Sequence, residues 1–206
     1  MKVYFVRHGE SVDACNGLHQ RPDSPLSENG VEQAKQLSKR LEMVGIDKII
    51  SSTLDRASQT AEIIAKKRRM EVGYSDLIVE LRKPSVLVGT KRDAPETRKI
   101  KSFMKENFGD EIRHSDEENF IDFKKRLVKF NELLSKERSE SILVVTHGYV
   151  IKFLFGLFLF DEKFDWEQAL KLFGLLKIKT TGLTVFEKDG REWKLVTWND
   201  IAHLAE

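Results

Sequence analysis

Cysteine is almost missing from this chain: Cys15 stands alone among 206 residues. An intrachain disulfide is therefore excluded, and a reducing compartment is the simpler expectation. Charge of one sign is also lacking. The 35 Lys and Arg against 33 Asp and Glu leave a net charge of +2, which argues against a nucleic-acid partner for the molecule as a whole. No apolar run approaches the ~20 residues that cross a bilayer. The longest, Tyr149 to Phe160, is broken by Lys152 and reads as a buried helix, so no membrane partner is expected. The chain opens on strand-like sequence without a basic stretch, apolar core and cleavage site, and a cytoplasmic location is expected. His19, His114 and His203 show no metal-ligand spacing, so neither metal nor cofactor is expected. Cys15 reads as a small loop residue, and no repeat or low-complexity tract appears.

The patterning is that of an α/β protein, and the length suits one domain with an inserted segment. Val3 to Val6 is an apolar, strand-forming run that ends in Arg7-His8-Gly9. A polar loop follows to Ser27, which caps a helix with the stripe Val31, Ala34, Leu37, Leu41 and Val44, closed by Gly45. Leu26 and Val31 are spaced as a hydrophobic staple. Ile46 to Ser51 reads as a second strand. Ser52 or Thr53 then caps a helix with an apolar face of Leu54, Ala57, Ala61, Ile64 and Ala65. Its Lys66-Lys67-Arg68-Arg69 end is what the helix dipole favours. Val72 to Val79 is extended. Residues 82–115, with scattered charges and Pro84, Gly89, Pro95 and Gly109, read as an inserted lid with short helices. Ser115 to Glu118 spells a capping box before Phe120, Phe123, Leu127, Phe130 and Leu134. Ser141 to Thr146 is a buried strand leading to His147-Gly148 and an apolar helix. Lys188-Asp189-Gly190-Arg191 joins two strands as a hairpin. The expected architecture is a three-layer α/β/α sandwich with a mostly parallel central sheet, an antiparallel edge strand and an inserted cap region. The Phe-rich stretch from Phe153 to Phe173 fits a core helix region or a homodimer face, with core the better default.

Three junctions where a strand runs into a helix carry groups suited to a phosphoryl ligand. Arg7 and His8 follow the first strand, Arg56 sits in a first helical turn, where free backbone N–H groups favour anions, and His147 follows the buried strand. Converging at one sheet edge, two arginines and two histidines make a compact cationic pocket. Arginine forks match phosphate oxygens. Histidine serves as nucleophile or proton carrier near neutral pH.

On these residues the chain resembles the histidine phosphatase superfamily, the phosphoglycerate mutase-like branch 1. The matching segments are Val6-Arg7-His8-Gly9-Glu10-Ser11, Asp23-Ser-Pro-Leu-Ser-Glu-Asn-Gly30, Ser51-Ser-Thr-Leu-Asp-Arg-Ala-Ser-Gln-Thr-Ala61 and Thr146-His147-Gly148. The closing Trp198-Asn199-Asp200-Ile201-Ala202-His203-Leu204 is similar too, while residues 82–115 match least. The resemblance implies that His8 is the nucleophile and forms a phosphohistidine. It also implies that Arg7, Arg56 and His147 hold the phosphoryl oxygens, with Gly148 among the binding residues. Glu80 best matches the residue that acts as general acid and then general base, with Asp76 the runner-up. Where many members carry a phosphate-contacting Asn, this chain has Ala14. Either Asn16, two positions on, fills that role or the contact is missing, and Ser11 and Asn16 are the further candidate binding residues.

The implied activity is metal-independent hydrolysis of a phosphomonoester, a small phosphorylated metabolite or phosphoamino acid, by a monomer or homodimer. The alternatives are a mutase-type phosphotransferase and a non-catalytic phospho-ligand module. The lid carries Arg82, Lys83, Lys91, Arg92, Arg98, Lys99, Lys101 and Lys105 but also Asp93, Glu96 and Glu106, which fits either a mixed, solvated surface or a basic lid for a second anionic group.

Overall fold

The computed structural model describes residues 1–190 and 192–204. In chain order its strands are β1 (Lys2–Arg7), β2 (Lys48–Ser52), β3 (Val72–Ser75), β4 (Ser141–Thr146), β5 (Leu183–Asp189) and β6 (Glu192–Asp200). The helices are α1 (Val12–Cys15), α2 (Glu28–Arg40), α3 (Asp55–Arg68), α4 (Pro95–Glu106), α5 (Phe120–Ser135), α6 (Gly148–Phe160) and α7 (Trp166–Leu175). The strands form one sheet in the order β3-β2-β4-β1-β5-β6. Pairings β1–β4, β2–β4 and β2–β3 are parallel, while β1–β5 and β5–β6 are antiparallel. The mixed, mostly parallel sheet with helices on both faces is the architecture expected.

Strand alternation decides which layer each side chain joins. Val3 and Phe5 of β1 face the aromatic cluster of Phe123, Phe130, Phe153 and Phe164, built largely from α5 and α6. Val6 faces the opposite cluster, where Leu37 of α2 and Ala57, Ala61 and Ile64 of α3 cover the sheet. Within the Phe-rich stretch Phe153 and Phe164 are buried, with ring centroids 4.8 Å apart, and Phe155, Phe158, Phe160 and Phe173 are partly buried against the same cluster. β1 and β4 lie side by side, yet β1 leads toward α2 on one face and β4 leads into α6 on the other. The connections diverge just beyond Arg7 and Thr146, a topological switch point where an open α/β sheet offers a crevice.

Several local expectations are corrected. α3 is capped at Leu54, without a side-chain bond, and not by Ser52 or Thr53. Ser52 Oγ does accept from the Leu54 N–H at 3.3 Å but also meets His147, so it serves the sheet edge. α5 starts at Asn119, whose side chain accepts from the Asp122 N–H, and the Ser115 capping box does not form. Glu118 instead pairs with Arg126 at 2.7 Å, and Glu117 accepts from the backbone N–H groups of His114 and Ser115. The extended segment ends at Ser75 and tightens into a 3₁₀ turn over Asp76–Ile78. The supposed loop after β1 contains the single-turn α1, which carries the exposed Cys15. A separate helix, α7, opened by an Asp165–Gln168 capping box, follows α6. Ser27 caps α2 as expected, accepting from the Gly30 N–H at 3.0 Å. In the hairpin Gly190 adopts φ +58°, and Arg191 lies outside the described residues. Residues 82–115 carry α4 and a 3₁₀ turn over Ser85–Leu87. They are laced to the loop after α1, where the His19 N–H donates to the Thr90 carbonyl and the Gly89 N–H to the His19 carbonyl, both at 2.8 Å.

Candidate active site

Register places the pocket. Arg7 lies opposite Thr146 across β1–β4, and Ser51 lies opposite Val145 across β2–β4. The residues just past the three strand ends, His8, Thr53 and His147, therefore emerge at one sheet edge. His8 is 2% exposed. Its Nδ1 lies 2.6 Å from the Gly9 carbonyl oxygen. A carbonyl can only accept, so Nδ1 carries the proton and Nε2 presents its lone pair. On that side the Arg56 Nε–H donates to Nε2 at 3.3 Å. Burial first, then Arg56 and Arg7, hold the His8 pKa well below 6.5, so the ring is neutral at pH 7.

His147 is fully buried, its ring centroid 5.0 Å from that of His8. Its Nε2 lies 2.8 Å from Ser52 Oγ, while Nδ1 is buried without a partner among the described residues. Burial, followed by Arg56, His8 and Arg7, lowers its pKa well below 6.5. Arg56, in the first turn of α3, is 3% exposed and donates from Nη1 to the Arg21 carbonyl at 3.1 Å. Burial pulls its pKa down to about 10, against the opposing attraction of Glu80, so it stays cationic at neutral pH. Thr60 ties α3 to the nucleophile loop, accepting from the Gly9 N–H at 3.1 Å and donating to the Arg56 carbonyl at 2.7 Å. Arg7 donates from Nη1 to the Ile178 carbonyl at 2.6 Å. The segment that supplies this carbonyl is held by Asn199, whose side chain accepts from the Lys179 N–H, and by Thr181, whose N–H donates to the Arg7 carbonyl at 2.8 Å.

Glu80 accepts through Oε1 from the Leu81 N–H at 3.0 Å and from the Tyr149 N–H at 3.2 Å. The start of α6 thus fixes this carboxylate beside the pocket. Its backbone is held by Arg126, which donates to the Glu80 and Leu77 carbonyls and pairs with the buried Glu118. A cavity of about 390 Å³ opens over this edge, with Arg56, Glu80, His19 and Lys83 in its wall. Among the described residues no cluster of three His, Cys, Asp or Glu side chains could hold a metal ion.

A family model described as the histidine phosphatase superfamily (branch 1) matches residues 3–201. The chain belongs to this superfamily. A curated relative from Proteus mirabilis, "Probable phosphoglycerate mutase GpmB", is 47% identical over 73 residues, 35% of this chain. That match spans only 34% of the relative's length. The α-ribazole phosphatase of Shigella flexneri superposes with a TM-score of 0.84 at 23% identity, covering 98% of both chains. Phosphoserine phosphatase from Entamoeba histolytica, in complex with phosphoserine, superposes with a TM-score of 0.78 at 24% identity, again over 98% of both chains. These two likenesses carry the fold.

Within this histidine phosphatase superfamily member, Arg7, His8, Arg56, Glu80 and His147 lie together at the sheet edge. Gly148 opens α6, and a Cβ there would meet the Arg7 side chain at 3.9 Å. Asn16 and Ser11 are placed differently. Asn16 is the exposed C-cap of α1 and does not line the cavity. Ser11 is buried as the α1 N-cap, accepting from the Ala14 N–H at 3.3 Å and from the Gln20 side chain. Asp76 lines the cavity and accepts from the Thr53 hydroxyl. Sequence reasoning missed Ser52, His19 and Arg126 as contributors. Arg126 had a signal: it lies three residues after Phe123 and four before Phe130, a charge on the apolar face of α5.

Proposed function

We propose that the protein is a metal-independent phosphomonoesterase that works through a phosphohistidine at His8, on a small phosphorylated metabolite or phosphoamino acid. The observation that carries this reading is the pair of contacts on the His8 ring, Gly9 carbonyl on Nδ1 and Arg56 on Nε2. They leave a neutral imidazole with its lone pair directed at a cation that a phosphoryl oxygen can take over. In the first step His8 Nε2 attacks phosphorus, the P–O ester bond breaks, and the leaving oxygen takes a proton from the Glu80 carboxyl group. In the second step water attacks the phosphohistidine, Glu80 takes its proton, and the P–N bond breaks to release phosphate. Arg7 and Arg56 hold the equatorial oxygens and offset their charge, and the neutral His147 donates to them from Nδ1, which is buried with no partner among the described residues.

Turnover of p-nitrophenyl phosphate in EDTA tests this. The wild type is expected to hydrolyse it, and His8→Ala to lose about a thousandfold or more in kcat. Rapid acid-free quench should trap an alkali-stable phosphoryl group on His8. Absence of metal-free turnover, or equal turnover by both proteins, overturns the reading. A mutase reading is favoured by the name of the Proteus mirabilis relative. It predicts that 3-phosphoglycerate is isomerised faster than it is hydrolysed, which product analysis by phosphorus NMR distinguishes.

A further inference from the structure

Lys83 enters the cavity wall just past Glu80, partly buried, and among the described residues its side chain has one hydrogen-bond partner, His19 Nδ1 at 3.2 Å. An ammonium group removed from water is costly without an anion beside it. Among the described residues, however, the ion pairs include none of Lys83, Arg92, Arg56 or Arg7. Of the carboxylates in the same wall, Glu80 attracts Lys83 without reaching ion-pair distance, and each of them is also held by other donors. Glu80 accepts from the Leu81 and Tyr149 N–H groups, Asp116 from the Ser85 N–H at 2.8 Å, and Asp76 from Thr53.

His19 sharpens the point. It is 2% exposed, and because an ammonium only donates, its Nδ1 is the acceptor and Nε2 carries the proton. That Nε2–H is buried with no partner among the described residues. Burial, followed by Lys83, Lys101 and Arg92, keeps the ring neutral by lowering its pKa to about 4. Arg92 also lines the cavity. Its Nε donates to the Leu18 carbonyl at 2.7 Å, while its two terminal nitrogens make no hydrogen bond among the described residues. Lys101 steadies it by donating to the Arg92 carbonyl at 3.1 Å. The backbone lacing of residues 17–19 to 89–92 holds His19 and Arg92 in one rigid frame. Lys91 and Arg92 are both exposed, but only Arg92 lines the cavity.

We propose that Lys83, His19 and Arg92 form a second anion subsite, so that the substrate is a phosphomonoester bearing a further anionic group, a carboxylate or another phosphate. This rests on the phosphomonoester reading of the His8 pocket, which shares Arg56 and Glu80 with the same cavity wall.

Equilibrium binding to the His8→Ala protein, which does not depend on turnover, tests the subsite by calorimetry. Phosphoserine against phosphoethanolamine differs by one carboxylate, and fructose 1,6-bisphosphate against fructose 6-phosphate by one phosphate. The doubly anionic member of at least one pair is expected to bind about ten- to a hundredfold more tightly, the range of a charge-assisted contact. The pair that shows the preference identifies the anion. Adding Lys83→Met should reduce that preference at least tenfold, Lys83→Arg should retain most of it, and Lys136→Met, away from the cavity, should leave it intact. Equal affinities within both pairs, no measurable binding of either doubly anionic ligand, or a preference that survives Lys83→Met would each overturn the proposal. Failure of the hydrolase reading appears separately, as missing His8-dependent turnover of p-nitrophenyl phosphate.

Discussion

The Gly9 carbonyl and the Arg56 guanidinium act on opposite edges of the His8 ring, and together they decide its protonation state. The carbonyl fixes the proton on Nδ1. Burial and then Arg56 make a second proton on Nε2 unfavourable. A lowered histidine pKa means that the neutral, nucleophilic form persists as the pH falls below 6.5 and is lost only well under that value. Proton–nitrogen NMR of the free protein is expected to show His8 titrating with its midpoint clearly below 6.5. Arg56→Met should raise that midpoint, since the cation opposing protonation is gone. A midpoint at or above 6.5 in the wild type would contradict the arrangement. Arg7, His8, Arg56 and His147 stood out in the sequence because each ends or follows a strand or opens a helix, where pattern and position coincide, whereas Glu80 entered only through the family resemblance. Lys83 and His19 could not be paired that way. They lie 64 positions apart, and only the lacing of residues 17–19 to 89–92 brings them together.

At the scale of elements, the pocket depends on how closely the β1–α1 turn seats against the start of α2. A Cβ on Gly30 would lie 1.9 Å from the Glu10 carbonyl oxygen, and one on Gly9 would lie 2.6 Å from the Gly30 carbonyl oxygen. Both obstacles are backbone, so neither can rotate away. Gly30→Ala is expected to cost about 3 kcal/mol or more, in the range of overpacking and backbone strain, and to lower kcat by displacing the His8 loop. Gly45 ends the turn after α2 with nothing within 4 Å of its would-be Cβ and without a positive φ. Gly45→Ala should be neutral or stabilising by about 0.4–1 kcal/mol. Urea unfolding of the two variants checks the contrast, and equal stabilities would refute it. The same scale shows why element ends were read less well than elements. Ser52 and Ser115 have the composition of caps, but Ser52 bonds to His147, and the glutamates after Ser115 bond to Arg126 and to local backbone. Tertiary partners compete with the local cap, and a local pattern carries no information about them. Strands and helix faces were legible because burial on a sheet face or helix stripe repeats at a fixed period.

Across the whole molecule, four of the five histidines have pKa values held below 6.5: His8, His19, His147 and His203. In each case burial is the largest cause, so the cost of keeping an imidazole neutral is shared between the catalytic edge, the cavity wall and the C-terminal segment. His203 meets the Thr181 hydroxyl at 3.0 Å, in the segment that also supports Arg7. This distribution ties stability to pH. In the unfolded chain each histidine takes up a proton near 6.5, while the native state refuses it until lower pH. The unfolded state therefore binds more protons below 6.5, and acid favours unfolding. Their stabilising contribution is fully present above 6.5 and is lost as pH falls toward the native pKa values. His8 and His147 should each remove on the order of 1 kcal/mol between pH 7 and 5.5, together a sizeable share of a typical folding free energy. Carboxylates with lowered pKa values, such as Asp13 and Asp116, act at more acidic pH and leave this window to the histidines. Urea unfolding at pH 7.0, 6.25 and 5.5 should show a steady decline. His147→Asn should flatten it over that interval by on the order of 1 kcal/mol, whatever its effect on stability at pH 7. A stability that is level from pH 7 to 5.5, or a His147→Asn protein with the wild-type slope, would show that these rings are not held neutral by the fold.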